Sequence, residues 1–198
     1  MAINYFSRTV VDGYNYSTGT WDAAIAQGDF LTFDRFITER SFGQKKRMFI
    51  VGERYLGTLD NYGTVRTPDG QIYLISAKNV DLDGYDGSTV YNNSFLLQRA
   101  DFLCDVIRID SALNAAGMPT GRTETVVGSY HCDMERFSNK SASEIDDIVY
   151  SQFSIWLPKE AEPDVTVDSE IRVDGTLYDV KEVDLMLGLV EIKAMKRG

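Results

Sequence analysis

Near its C-terminal end the chain breaks into three short runs, 169–173, 177–184 and 189–195, and only Asp174-Gly175 separates the first two. An Asp-Gly pair between two extended runs is the strongest short-range signal of a tight β-hairpin, because both central turn positions need positive φ. The same grammar recurs upstream. Residues 47–55 form an apolar stretch followed by a turn, and in 70–77 Ile72, Leu74 and Ser76 share one face. Residues 126–134 and 150–157 are two further strands. In the latter, Phe153, Ile155 and Leu157 alternate with Ser154 and Trp156 and are expected to face the core, and Pro158, which has no ladder donor, ends the run.

Helical signals are few and short. Ser141 with Glu144 three residues later forms a capping box that opens a helix over 144–149. Asp110 or Ser111 is placed to cap a short turn through Ala116, stopped by Gly117 and Pro119. Thr20 is placed to cap a helix from Trp21 to Gly28, with Trp21, Ala24 and Ile25 at helical spacing. The stretch 30–37 supports either period. The expected fold class is mainly β: small β-barrel or sandwich units with one or two short helices.

A weak internal repeat bears on the number of units. Val65-Arg66, Asp69-Gly70, Ile72-Tyr73 and Ile75 align with Ile171-Arg172, Asp174-Gly175, Leu177-Tyr178 and Val180 once gapped. Two unrelated hairpins obeying one turn chemistry would give such a match, and so would two tandem β domains of similar fold. The second reading is preferred. It puts the boundary in the linker-like Gly117–Arg122 segment, giving an N-terminal β-rich domain at 1–119, a diverged copy or a docking domain, and a C-terminal barrel at 120–198.

Charge and composition restrict the chemistry. Thirty Asp and Glu against twenty Lys and Arg leave a net charge of −10 over 198 residues, which argues against broad attraction to nucleic acid. No apolar run approaches the length of a membrane span, and the first eight residues lack the apolar core of a secretion signal, so a soluble intracellular or particle-borne protein is expected. Cys104, His131 and Cys132 are too few for a zinc site, and adjacent residues of a strand point to opposite faces. No nucleophile elbow or phosphate-binding loop occurs, so no enzyme, cofactor or metal is expected. Asp81, Asp83 and Asp86, with Gly84 and Gly87, offer oxygen ligands on a turning backbone, but the spacing fails the calcium-loop pattern and a solvated turn explains it better. Gln44, Lys45, Lys46 and Arg47 make the one concentrated basic run. It reads first as a solvated loop and second as a contact to DNA phosphate or an acidic partner.

The strand at 126–134, the helix at 144–149, the strand at 151–157, the Asp174-Gly175 turn followed by Leu177-Tyr178-Asp179-Val180, and the apolar strand from Leu189 resemble the small β-barrel head–tail joining (head-closure or stopper) proteins of tailed bacteriophages. The resemblance covers residues 126–195. It implies a non-enzymatic virion neck component, assembled in the host cytoplasm as a homo-oligomeric ring. Its implied partners are the portal or adaptor protein on one side and tail terminator or other tail proteins on the other. DNA would pass through the channel without specific binding, and no membrane is involved. Acidic walls repel phosphate and fit that duty. The segment 159–168, with Lys159, Glu160, Glu162, Pro163, Asp164 and Asp168, is the candidate channel loop by its position between two strands, and its deletion is expected to leave folding intact.

Two other readings are carried forward. One is a different virion part, such as a tail-completion or baseplate protein. The other is a β-rich module binding carbohydrate or protein through exposed aromatics, for which Tyr14, Tyr16 and Trp21 are the residues to examine, although core packing explains aromatics more often.

Overall fold

The structure is a computed structural model describing residues 9–31, 46–51, 56–78, 94–113, 115–116, 119–137, 152–186 and 188–197. The chain is mainly β and forms two closed six-stranded barrels. The first contains β1 (Thr9–Asn15), β2 (Thr20–Leu31), β3 (Lys46–Val51), β4 (Thr64–Arg66), β5 (Ile72–Lys78) and β6 (Ser94–Arg99). Its strands close in the order β1-β2-β3-β6-β5-β4. A single helical turn, α1 (Leu56–Leu59), precedes β4 and puts Leu59 into the core. The second barrel contains β7 (Phe102–Leu113), β8 (Pro119–Phe137), β9 (Gln152–Pro158), β10 (Glu170–Val173), β11 (Thr176–Leu185) and β12 (Leu189–Lys196), in the order β10-β11-β12-β9-β8-β7.

These two circuits are one topology. With the strands of each barrel lettered a to f along the chain, both close as a-b-c-f-e-d. The repeated sequence falls on the same d–e hairpin of each barrel, and its register is the same: Val65 lies opposite Tyr73 and Arg66 opposite Ile72, as Ile171 lies opposite Tyr178 and Arg172 opposite Leu177. Even the irregularity recurs. The e–f ladder slips between Ile75 and Ala77 in the first barrel and between Val180 and Glu182 in the second. A bulge adds local twist, and one at a fixed place helps a sheet curl into closure. The matched positions are also buried alike: Val65 and Ile171, Tyr73 and Tyr178, Ile75 and Val180, Phe95 and Ile192, Leu97 and Ala194 all belong to their barrels' cores. The preferred reading of the repeat as two tandem units of similar fold thus matches the architecture.

The division between units differs from the expected one. The compact units are Met1–Ala100 with Met186–Leu189, and Asp101–Leu185 with Val190–Gly198. Of the expected boundary segment, residues 119–122 open β8, which pairs with β7 from Phe102 opposite Cys132 to Leu113 opposite Pro119. Gly and Pro are as common where a hairpin reverses as in a linker, and here Pro119 and Gly121 lie in a hairpin strand. The passage from β6 to β7 has neither residue. Ala100 is buried there and donates its amide to the Ile72 carbonyl at 2.9 Å.

Two helical expectations are overturned. Residues 20–31 are β2, with Tyr14 opposite Trp21 and Val11 opposite Ala26. A register shift separates these pairs, and Ala24 within it has φ 55°. This bulge breaks the two-residue period, so Ile25 and Ala26 are buried in succession and imitate helical spacing. Asp110 and Ser111 do not cap a turn but continue β7. In β9 the expected core face holds Ile155 and Leu157, but Ser154 and Trp156 are buried as well, so that strand is covered on both faces. The capping box, the helix at 144–149 and the Asp81–Gly87 turn lie outside the described residues.

Candidate functional site

The segment joining β9 to β10 is built onto the second barrel. A 3-10 turn at Lys159–Ala161 follows Pro158, and Glu162, Asp164 and Val165 donate backbone amides back to it at 3.0–3.2 Å. Ala161 and Val165 are buried, so the segment contributes to the core. Tyr130 on β8 donates its hydroxyl to Asp164 Oδ2 at 2.5 Å. Burial first, and then that hydrogen bond and the charge of Asp164, push the Tyr130 hydroxyl well above the usual tyrosine range. At the far end Thr166 and Ser169 close the segment. The Ser169 amide donates to the Thr166 carbonyl, and the Thr166 amide donates to Ser169 Oγ, both at 3.0 Å. Of the six candidate channel residues, Glu162, Pro163 and Asp168 are exposed, Lys159, Glu160 and Asp164 half-buried. Excising the segment would therefore remove core, contrary to the expectation that deletion leaves folding intact.

The basic run is divided by the description. Gln44 and Lys45 lie outside the described residues, whereas Lys46 and Arg47 open β3, opposite Gln98 and Leu97 of β6. They belong to a strand rather than to the loop expected before it.

Cys104 and Cys132 are free thiols buried in the second barrel. A hydrogen bond between them and the burial of the site push the Cys132 thiol up, which keeps it protonated and poorly nucleophilic. His131 pairs with exposed Leu103 on the outer face. Among the described residues no three His, Cys, Asp or Glu side chains gather as a metal site would require.

The aromatic residues near the β1–β2 turn do come together. Tyr14 meets Tyr16 and Trp21 edge to face, with centroids at 4.7 and 4.9 Å. The Arg66 guanidinium lies 4.4 Å from the centroid of the Trp21 ring. Tyr16 also shares a 2.9 Å hydrogen bond with Thr64, and Tyr62 donates to Asp22 at 2.8 Å. All three aromatic rings of the cluster are half-buried.

Arg66 belongs to a pairing that sequence reasoning missed. It reaches Asp12 at 2.9 Å, and Asp12 stands directly opposite it on β1. In the second barrel Arg172 reaches Asp105 at 3.8 Å, again its register partner, on β7. Each barrel therefore closes its d–a seam with one Arg–Asp pair at the same position. The arginines stand in the sequence repeat, but their partners lie far upstream and no local pattern announces them. Asp12 also accepts the Ala24 amide at 3.0 Å; that bond, and then Arg66, hold its carboxyl below the usual value.

The second barrel extends this pairing into a network. Arg122 on β8 donates to both oxygens of Glu170, and Arg197 donates to Glu170 Oε1 at 2.6 Å. Glu124 approaches Arg122 at 3.3 Å and Arg172 at 3.4 Å. Glu170 is almost fully buried, which makes this charge dependent on its two arginines. The arrangement braces one surface of the β7–β8 hairpin against β10. No protein-family model matches the chain, and no curated protein shows significant similarity to it.

Proposed function

We propose that this chain is a structural, non-enzymatic component of a tailed phage neck. In this reading, copies form a ring that joins the portal or adaptor to the tail and helps retain the genome. The observation that carries it is the run of pattern along the second barrel: a long strand, β9, a packed connecting segment, the Asp174-Gly175 hairpin with Tyr178-Asp179-Val180, and a closing apolar strand. This resembles the head–tail joining proteins in order and in turn chemistry. A net charge of −10 per chain adds support, since a ring of such chains keeps DNA from adhering as it passes. In this role the exposed tip of the β9–β10 segment, Glu162, Pro163 and Asp168, is the candidate for the channel surface.

A conditional knockout tests the proposal. The expected result is DNA-filled heads without attached tails, or heads that lose DNA, with rescue by the gene supplied in trans. Tailed, infectious particles in its absence would overturn the reading.

The half-buried aromatics around Trp21 favour a second reading, a binding module for carbohydrate or protein. The rings meet edge to face, the Arg66 guanidinium lies over one face of Trp21, and all three residues keep part of their surface exposed, as an aromatic binding patch needs. Quenching of tryptophan fluorescence by a bound sugar or peptide would support it over the first.

A further inference from the structure

Cys104 and Cys132 are the only cysteines of the chain, and the register of the second barrel brings them together. Cys104 on β7 stands opposite Tyr130, and Cys132 on β8 stands opposite Phe102, so the two are diagonal neighbours across one strand pair. Both belong to the core, with 1% and 0% of their surface exposed. Their sulfurs are in hydrogen-bond contact. Diagonal neighbours lie farther apart than facing residues, and this contact shows that the two sulfurs are within reach of each other.

Packing alone does not call for the pair. The first barrel has the same circuit and, aligned on the Asp12 and Asp105 seam, holds buried Val11 where the second holds Cys104. Gly28, opposite Thr9 as Cys132 is opposite Phe102, takes the other place. Position gives the contact a consequence. β1 ends at Asn15, and a four-residue turn leads to Thr20. By the same alignment Asn15 corresponds to Arg108, but β7 runs on through Leu113 and β8 returns from Pro119. β10 covers β7 only from Cys104 to Ile107, so the added length forms a two-stranded arm. Cys104 and Cys132 stand in the barrel wall at the root of this arm.

We propose that Cys104 and Cys132 are a disulfide site, a dithiol in reducing surroundings that closes to a bond across β7 and β8 in oxidising ones. The oxidant is a small disulfide such as oxidised glutathione. One cysteine thiolate attacks it, forming a mixed disulfide and releasing one glutathione thiolate. The second cysteine thiolate then attacks the cysteine sulfur of that mixed disulfide, and the second glutathione leaves. The two protons given up by the cysteines end on the two glutathione thiols, so the chain is oxidised by two electrons and the glutathione disulfide reduced by two. Burial and the raised Cys132 thiol make the exchange slow in the closed barrel, and it proceeds when the strands open or as the chain folds. In the neck reading the chain folds in a reducing cytoplasm and leaves it in a particle, so the bond closes after release. That timing rests on the reading, whereas the site does not.

Refolding the full chain in glutathione buffers, oxidised against reduced, tests the site. After the oxidising buffer the chain is expected to have lost both free thiols, to be lighter by two hydrogens, and to yield on digestion a peptide pair joining Cys104 to Cys132. The bond closes a loop that contains the arm, so this product should melt about 5 °C or more above the reduced chain. Cys132→Ala should abolish the gain and leave Cys104 as a thiol or a mixed disulfide. Two thiols that persist after refolding in the oxidant, or a glutathione on each cysteine, would overturn the proposal. So would a linked chain that melts below the reduced one. The parent chain alone gives these readings, so they decide even where the variant does not fold. They are made on the isolated protein, so failure of the neck reading leaves them unaffected.

Discussion

Ala24 sits in a backbone conformation that its side chain opposes, with φ 55°, and its amide is held by Asp12. Left-handed residues other than glycine cost roughly 1–2 kcal/mol. Ala24→Gly should therefore raise the stability of the first barrel by about 0.5–1 kcal/mol, the reverse of the usual effect of this exchange in a strand. Chemical denaturation would measure it. The same aspartate sets a pH dependence. Because its carboxyl is held below the ordinary value in the fold, its contribution is present above the unfolded value and is lost as pH falls through the folded one. Asp12→Asn should be less stable at neutral pH and less sensitive to acid. Tyr130 titrates with the opposite sign. Its raised value means that stability is intact below the ordinary tyrosine value and declines as pH rises past it. Tyr130→Phe should cost about 0.5–1.5 kcal/mol at neutral pH, flatten the alkaline limb and speed amide exchange in the segment after β9. Gly128→Ala should cost more, about 1–3 kcal/mol, since a Cβ there would lie 2.5 Å from the Tyr130 ring and 2.7 Å from Asp164.

At the scale of elements, the chain announced its hairpins better than its hairpin lengths. Asp174 at φ 47° and Gly175 at φ 77° fit the tight turn that the dipeptide predicts. Gly175→Ala should cost about 1–2 kcal/mol by melting, whereas Asp174→Asn should be neutral because asparagine tolerates the same conformation. The three C-terminal strands appear close to their sequence-based bounds for the same local reason. Trp21 to Gly28 misled because a bulge at Ala24 shifts the phase of burial, and a bulge leaves no separate mark in a hydrophobicity pattern. Asp110 to Pro119 misled because turn residues announce a reversal without saying whether it closes a hairpin or links two units. The Arg66–Asp12 and Arg172–Asp105 pairs were illegible for a different reason. Barrel closure joins residues far apart in sequence, and only the register reveals which aspartate faces which arginine.

For the whole molecule, two barrels share a strand circuit, a d–e hairpin register, a bulge after the second residue beyond the buried tyrosine, and an Arg–Asp seam. A faint repeat of about ten residues pointed to this duplication. It was faint because core positions tolerate exchange when size and patterning suit the site, as Leu97 and Ala194 or Phe95 and Ile192 illustrate. What differs between the copies is where function is expected: the longer β7–β8 arm and the packed segment after β9 in the second barrel. The most direct test of the neck reading is quantitative mass spectrometry of purified, DNA-filled particles from the source of this chain, with copy number scaled to the portal protein. The account predicts this chain in the particle at a fixed copy number corresponding to one ring. Its absence from complete particles would contradict the account.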